Sequence, residues 1–156
     1  MEPLSAAAHY TLRFINQTNK SIFLTGKAGT GKTTLLKEII ATTHKNTVVV
    51  APTGIAALNA GGVTIHSMFQ LPFAAFIPDN KQVAQFSGAI KFENRDTLGR
   101  HFKMNATKRS IIRNMELLII DEVSMLRADV LDAIDFMLKK VRRNERAFGG
   151  VQVLFI

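Results

Sequence analysis

Residues 26–33 read Gly-Lys-Ala-Gly-Thr-Gly-Lys-Thr, and the order of those eight residues decides the fold. They match the phosphate-binding pattern G-x-x-x-x-G-K-[ST] in full. A chain of this length would match by chance about once in 200 sequences. The residues before the octet, Ser21-Ile22-Phe23-Leu24-Thr25, are short, apolar and β-branched, which predicts a buried strand. The residues after it, Leu35-Leu36-Lys37-Glu38-Ile39-Ile40, have helical spacing. A phosphate loop needs that order of elements. A strand delivers the chain, glycines let the backbone turn its N–H groups onto one anion, and the helix adds its positive dipole end. The expected nucleotide contacts are Gly26, Ala28, Gly29, Thr30, Gly31, Lys32, Thr33 and Thr34. Lys32 is expected to reach the β- and γ-phosphates of a nucleoside triphosphate, and the Thr33 hydroxyl to ligate Mg²⁺.

The rest of the composition narrows the setting. At 156 residues the chain is expected to form a single domain that buries roughly 70% of its unfolded surface. Its apolar runs are far too short to span a bilayer. The start, Met1-Glu2-Pro3-Leu4-Ser5, has no charged-then-apolar leader, which predicts a cytoplasmic protein, or a nuclear or mitochondrial one in a eukaryote. The absence of cysteine excludes disulfides, thiolate-bound zinc and thiol catalysis. His9, His44, His66 and His101 lack metal-ligand spacing, so Mg²⁺ carried in with the nucleotide is the expected metal. Twenty Lys and Arg against twelve Asp and Glu give a formal charge of +8, more than a nucleotide calls for, and suggest a polyanionic partner.

Further apolar runs at residues 47–51, 117–120 and 151–156 read as strands, with a helix predicted over residues 5–15 and another carrying Val130, Leu131, Ile134, Leu138 and Val141 on one stripe. Continuous apolar strands separated by helices predict a parallel sheet covered by helices on both faces. Residues 70–107 fit this pattern least. They hold Pro72, Pro78 and five phenylalanines (Phe73, Phe76, Phe86, Phe92 and Phe102), which predict a packed insertion rather than base-stacking rings.

The third run ends in Asp121-Glu122. The carboxyl end of a parallel strand is where α/β sheets bind ligands. Asp121 can hold Mg²⁺ opposite Thr33, and Glu122 can orient or deprotonate a water for attack on the γ-phosphate. A water activator beside the metal ligand points to a hydrolase. Between the two half-sites, Thr53, Thr64, His66 and Ser67 offer hydroxyls and an imidazole suited to phosphate contact, or simply form the polar turn of a βα unit.

The strings GKAGTGKTT (residues 26–34), APTGIAALNAGGVTIHSMF (51–69) and LLIIDEVSMLRADVLDAIDFMLKKVRRNERAFGGVQVLF (117–155) together resemble the PIF-type family of superfamily 1 DNA helicases, with RecD-like helicases as relatives. The resemblance implies a P-loop NTPase with a RecA-like fold, acting as an ATP-dependent motor that moves 5'-to-3' on single-stranded DNA. It implies unwinding of duplex or quadruplex junctions in repair, recombination and telomere maintenance. By position, Lys32 matches the family's loop lysine, Thr33 and Asp121 its metal ligands, and Glu122 its catalytic glutamate. Thr53, Thr64, His66 and Ser67 fall in motifs that line single-stranded DNA. By the same analogy, residues 151–156 should insert between the carboxylate strand and the phosphate-loop strand.

Two departures accompany the match. His9 stands where the family carries an adenine-reading glutamine. Beyond Ile156 the family continues into a glutamine-containing motif and a second RecA-like domain with an arginine finger, so the chain reads as a truncated first motor domain. Two other classes share part of the pattern: an AAA-type loader or remodeller, in which a neighbouring copy could offer Arg127 or Arg143 as its finger, and a non-enzymatic nucleotide-binding module.

Overall fold

The computed structural model describes residues 4–78, 92–101 and 103–156, with the backbone alone at position 101. The elements run α1 (Ala6–Gln17), β1 (Ile22–Phe23), α2 (Lys32–Thr42), β2 (Thr47–Ala51), α3 (Gly54–Ala60), β3 (Val63–Thr64), α4 (Ile65–Phe69), β4 (Ala75–Ile77), β5 (Phe92–Asn94), α5 (Arg95–His101), α6 (Ala106–Asn114), β6 (Leu117–Ile120), α7 (Ala128–Arg142) and β7 (Gln152–Phe155). Five strands form one sheet in the order β1-β7-β6-β2-β3, and every pair in it is parallel. β7 therefore lies between β1 and β6, as the family analogy requires.

Side chains alternate across a strand, and the core divides accordingly. Leu117, Ile119, Val49 and Leu154 join one apolar cluster with Ile15 of α1 and Leu35, Leu36 and Ile39 of α2. Leu118, Ile120, Val50 and Val153 join the other, with Ile65 of α4, Ile112 of α6 and Ile134 and Leu138 of α7. All four residues of β6 are fully buried because helices cover both faces. Ser5 caps α1 by accepting from the Ala8 N–H at 3.2 Å, which fits the expected start of that helix. Close approach matters at Gly62: a Cβ there would collide with the Val49 carbonyl, so only glycine lets the chain run into β3 against β2.

Two expectations need correction. The strand expected over residues 21–25 is two residues long and not buried. It is an outer strand of the sheet; Ile22 and Leu24 pack on the α1–α2 side, whereas Phe23 faces the other way and is 68% exposed. The insertion is packed only in part. β4 and β5 pair in parallel, Phe76 is buried and its ring lies 6.1 Å from that of Phe136. Phe73, however, is 90% exposed, because its turn projects away from the core before β4 begins. Phe86 and Phe102 lie outside the described residues.

Polar groups fix the lower edge of the sheet. The fully buried Gln152 amide donates to the Phe14 and Lys20 carbonyls, and its oxygen accepts from Lys45 Nζ at 2.7 Å. Arg142 performs the same task behind α7. Its guanidinium donates to the carbonyls of Ile112, Arg113 and Met115 at the end of α6, and to that of Gly149. A helix end leaves carbonyls without partners, and here one planar fork satisfies three of them. Arg142→Met keeps the aliphatic stem and removes the fork. It is expected to lower the unfolding free energy by about 1.5–3 kcal/mol, read as a lower urea midpoint at unchanged slope. An unchanged midpoint would mean that water replaces the guanidinium at no cost.

Candidate nucleotide site and nucleic-acid face

The phosphate loop is held in shape by its own residues. Gly29 and Gly31 have φ values of 77° and 88°, the left-handed region that glycine enters without penalty. Gly31 is the N-cap of α2 and offers no side chain to the helix, so the first N–H groups of α2 remain open to an anion. The Thr30 hydroxyl donates to the Lys27 carbonyl at 2.7 Å. Lys32 Nζ donates to the carbonyls of Gly26 and Lys27 at 2.6 and 2.9 Å, bridging the start of the loop. An ammonium has three N–H donors, so one remains for a phosphate.

One cleft of about 630 Å³ is lined by Gly26, Ala28, Gly29, Gly31, Lys32, Thr33 and Thr34 from the loop and by Asp121 and Glu122 from the end of β6. Thr30 alone among the expected loop contacts does not line it. The carboxylate pair is fixed by backbone bonds on both sides. The Asp121 N–H donates to the Val50 carbonyl at 2.9 Å, and the Val123 N–H to the Ile156 carbonyl at 2.8 Å. Glu122 adopts φ 54°, a left-handed conformation that is strained for glutamate and common at functional turns. Ser124 also lines the cleft and was not singled out from the sequence. Its signal was weak, because a serine four residues past a strand end usually marks only a turn.

Thr33 and Asp121 supply hard oxygen donors of the type Mg²⁺ prefers. Among the described residues no cluster of three or more His, Cys, Asp or Glu could hold a metal alone, so an ion here would share its shell with the nucleotide. His9 is an exposed residue of α1 and does not line the cleft. Arg127 and Arg143 do not line it either.

The four residues expected to meet DNA gather near the ends of β2 and β3. Ala51 pairs with Thr64 across the two parallel strands, and Thr53 follows two residues past Ala51 at the same end of the sheet. Both are helix caps: Thr53 accepts from the Ala56 N–H and Thr64 from the Ser67 N–H, each at 3.2 Å. Capping uses an acceptor lone pair and leaves each O–H free to donate. Ser67 is exposed, and its carbonyl accepts from Lys108 Nζ of α6. His66 is half-buried; desolvation, and then the charge of Arg127, push its pKa below the ordinary histidine value and favour the neutral imidazole. Its ring stacks on that of Phe73 at 4.9 Å. Among the described residues no helix is long and apolar enough to cross a membrane.

Residues 6–156 match the family model of the PIF1-like helicases. The chain is 36% identical over 146 residues to the ATP-dependent DNA helicase PIF1 of Saccharomyces cerevisiae, covering 89% of this chain and 15% of that protein. It is likewise 36% identical over 148 residues to the Pif1 helicase of a Psychrobacter species, covering 90% and 19%. Among solved structures, Bacteroides Pif1 bound to single-stranded DNA superposes with a TM-score of 0.81 at 40% identity, covering 100% of this chain and 32% of that one. Bacteroides Pif1 in complex with ADP-AlF4 gives 0.79 at 41% identity, covering 99% and 32%. The chain thus spans less than a fifth of these two curated relatives and about a third of the solved ones.

Lys32→Ala is expected to weaken binding of a labelled ATP analogue by about 1.5–3 kcal/mol, on the order of 10- to 100-fold. Equal affinities for the two proteins in a titration would mean that the loop does not hold phosphate.

Proposed function

The chain belongs to the PIF1-like helicase family, and we propose that it is the ATP-binding motor domain of an ATP-dependent DNA helicase that translocates 5'-to-3' on single-stranded DNA. Its targets in this reading are duplex or quadruplex junctions met in repair, recombination and telomere maintenance. The observation that carries the proposal is the single cleft that joins Lys32 and Thr33 to Asp121 and Glu122, residues far apart in sequence. The loop N–H groups and the free donor of Lys32 bind the β- and γ-phosphates. Thr33 and Asp121 would hold Mg²⁺, which when bound neutralises phosphate charge. Glu122 takes a proton from the water that attacks the γ-phosphorus; the bond to the bridging oxygen breaks, and ADP leaves with the electron pair. Thr53, Thr64, His66 and Ser67 take the DNA strand by phosphate contacts that read no sequence. Residues 70–107 form an insertion within the one motor domain.

Charge that develops on the γ-phosphate needs a cationic partner besides Lys32, and among the described residues no arginine lines the cleft. In related phosphate-loop enzymes such an arginine contributes roughly 10³–10⁵ in rate. The 156-residue chain is therefore expected to bind ATP but to release phosphate about that much more slowly than a full-length protein stimulated by single-stranded DNA, and not to unwind duplexes. Steady-state phosphate release by the two proteins is the test. Turnover by this chain at the full-length, DNA-stimulated rate would replace the motor reading with a self-contained ATPase.

A further inference from the structure

Phe73 is the anomaly of the exposed surface. An aromatic ring that is 90% exposed gains little from folding where it is, yet its position is closely fixed. The Ala74 N–H donates to the Pro72 carbonyl at 2.9 Å, closing a three-residue turn with Phe73 at its apex. Three residues on, the buried Phe76 anchors β4, and its N–H donates to Asp129 Oδ2 at 3.0 Å. The same carboxylate takes two bonds from Arg127, one from Nε at 3.0 Å and one from Nη2 at 2.6 Å. Asp129 thus positions both the strand behind Phe73 and the cation beside it. Its pKa stays below the usual carboxylate value: burial raises it, but the Phe76 N–H and Arg127 outweigh that effect.

The ring itself has one face engaged and one open. His66 stacks at 4.9 Å between centroids and 12° between planes, so the remaining exposure belongs to the far face and edge of Phe73. Phe73, His66, Met125 and Arg127 line a shared cleft of about 660 Å³ with Pro52, the neighbour of Thr53. Arg127 is 64% exposed at the side chain. Of its five N–H groups, Asp129 takes two among the described residues, which leaves three for another acceptor.

We propose that Phe73, backed by His66, is a stacking platform for one unpaired nucleobase of a DNA strand, with Arg127 contacting the adjacent phosphate. This rests on the reading above that His66 and its neighbours face single-stranded DNA, and it adds base contact to a surface otherwise argued from phosphate contact. The occupant follows from the chemistry. A flat aromatic face beside a cation, on a chain of formal charge +8, suits a base and its phosphate, and the cleft reaches Pro52 and Ile65, the chain neighbours of Thr53 and Thr64. One ring is too small a surface to hold a helix or a second protein.

The test uses a short deoxythymidine oligonucleotide, the same backbone made of abasic sites, and an oligonucleotide carrying one 2-aminopurine, each titrated at low salt. Phe73→Ala is expected to weaken the base-bearing strand on the order of 10-fold, to leave the abasic strand unchanged, and to abolish quenching of the 2-aminopurine. Phe73→Trp should restore both signals. Because the ring is exposed, neither change threatens folding. If wild type binds in a salt-dependent way and Phe73→Ala binds the base-bearing strand equally well, the platform is wrong while the single-stranded DNA reading stands. Equal loss on the abasic strand would also overturn the platform, because the ring would then act on the sugar-phosphate backbone rather than on a base. No binding of either strand by wild type would overturn both readings.

Discussion

Phe155 pairs with Phe23 on one side and with Ile120 on the other. Through that double register β7 sets the distance between the phosphate loop and the carboxylate pair, because β1 and β6 share no hydrogen bond of their own. The loop opens three residues past Phe23, and Asp121 follows Ile120 directly. A shift of β7 by one residue would move one half-site along the sheet relative to the other and turn its side chains to the wrong face. The parallel ladder is protected against such a slip. Gln152, at the start of β7, is tied to α1, to the approach to β1 and to Lys45 ahead of β2. Burial lowers the Lys45 pKa, with Glu116 acting in the opposite direction.

The parts legible in the sequence are those whose geometry is local. The phosphate loop is short, its glycines are read in order, and the conformations at Gly29 and Gly31 require them. The buried strand β6 and the Asp-Glu pair at its end form a continuous run. The depth of β1 was not legible, since an apolar triplet looks the same at the centre of a sheet and at its edge. The insertion was hard to read for a related reason. Its strands are three residues long and pair across a long connection, so period-two alternation has no room to appear.

Phe73 shows what periodicity cannot supply. The sequence offered five phenylalanines of equal standing, and burial separates them only after folding: Phe76 goes inward onto Phe136, while Phe73 is left on a turn. Thr53 and Thr64 carry a different lesson. Their local sequence suits a helix cap and a phosphate donor equally well, and in the fold one hydroxyl can serve both purposes.

The short β1 edge also governs how copies of this chain meet one another. Among the described residues β1 has a neighbour on one side only, and an open strand edge invites pairing with another chain. Two residues make a poor template, and Lys20 precedes them. Exposed Phe23, Ile55 and Leu58 nevertheless leave apolar surface in contact with water. Mutual repulsion from the +8 charge keeps copies apart while the screening length is about 10 Å, and fails once high salt cuts it to about 3 Å. Colloidal stability and attraction for polyanions therefore weaken together as salt is added, which makes dilute buffer the natural medium for this chain.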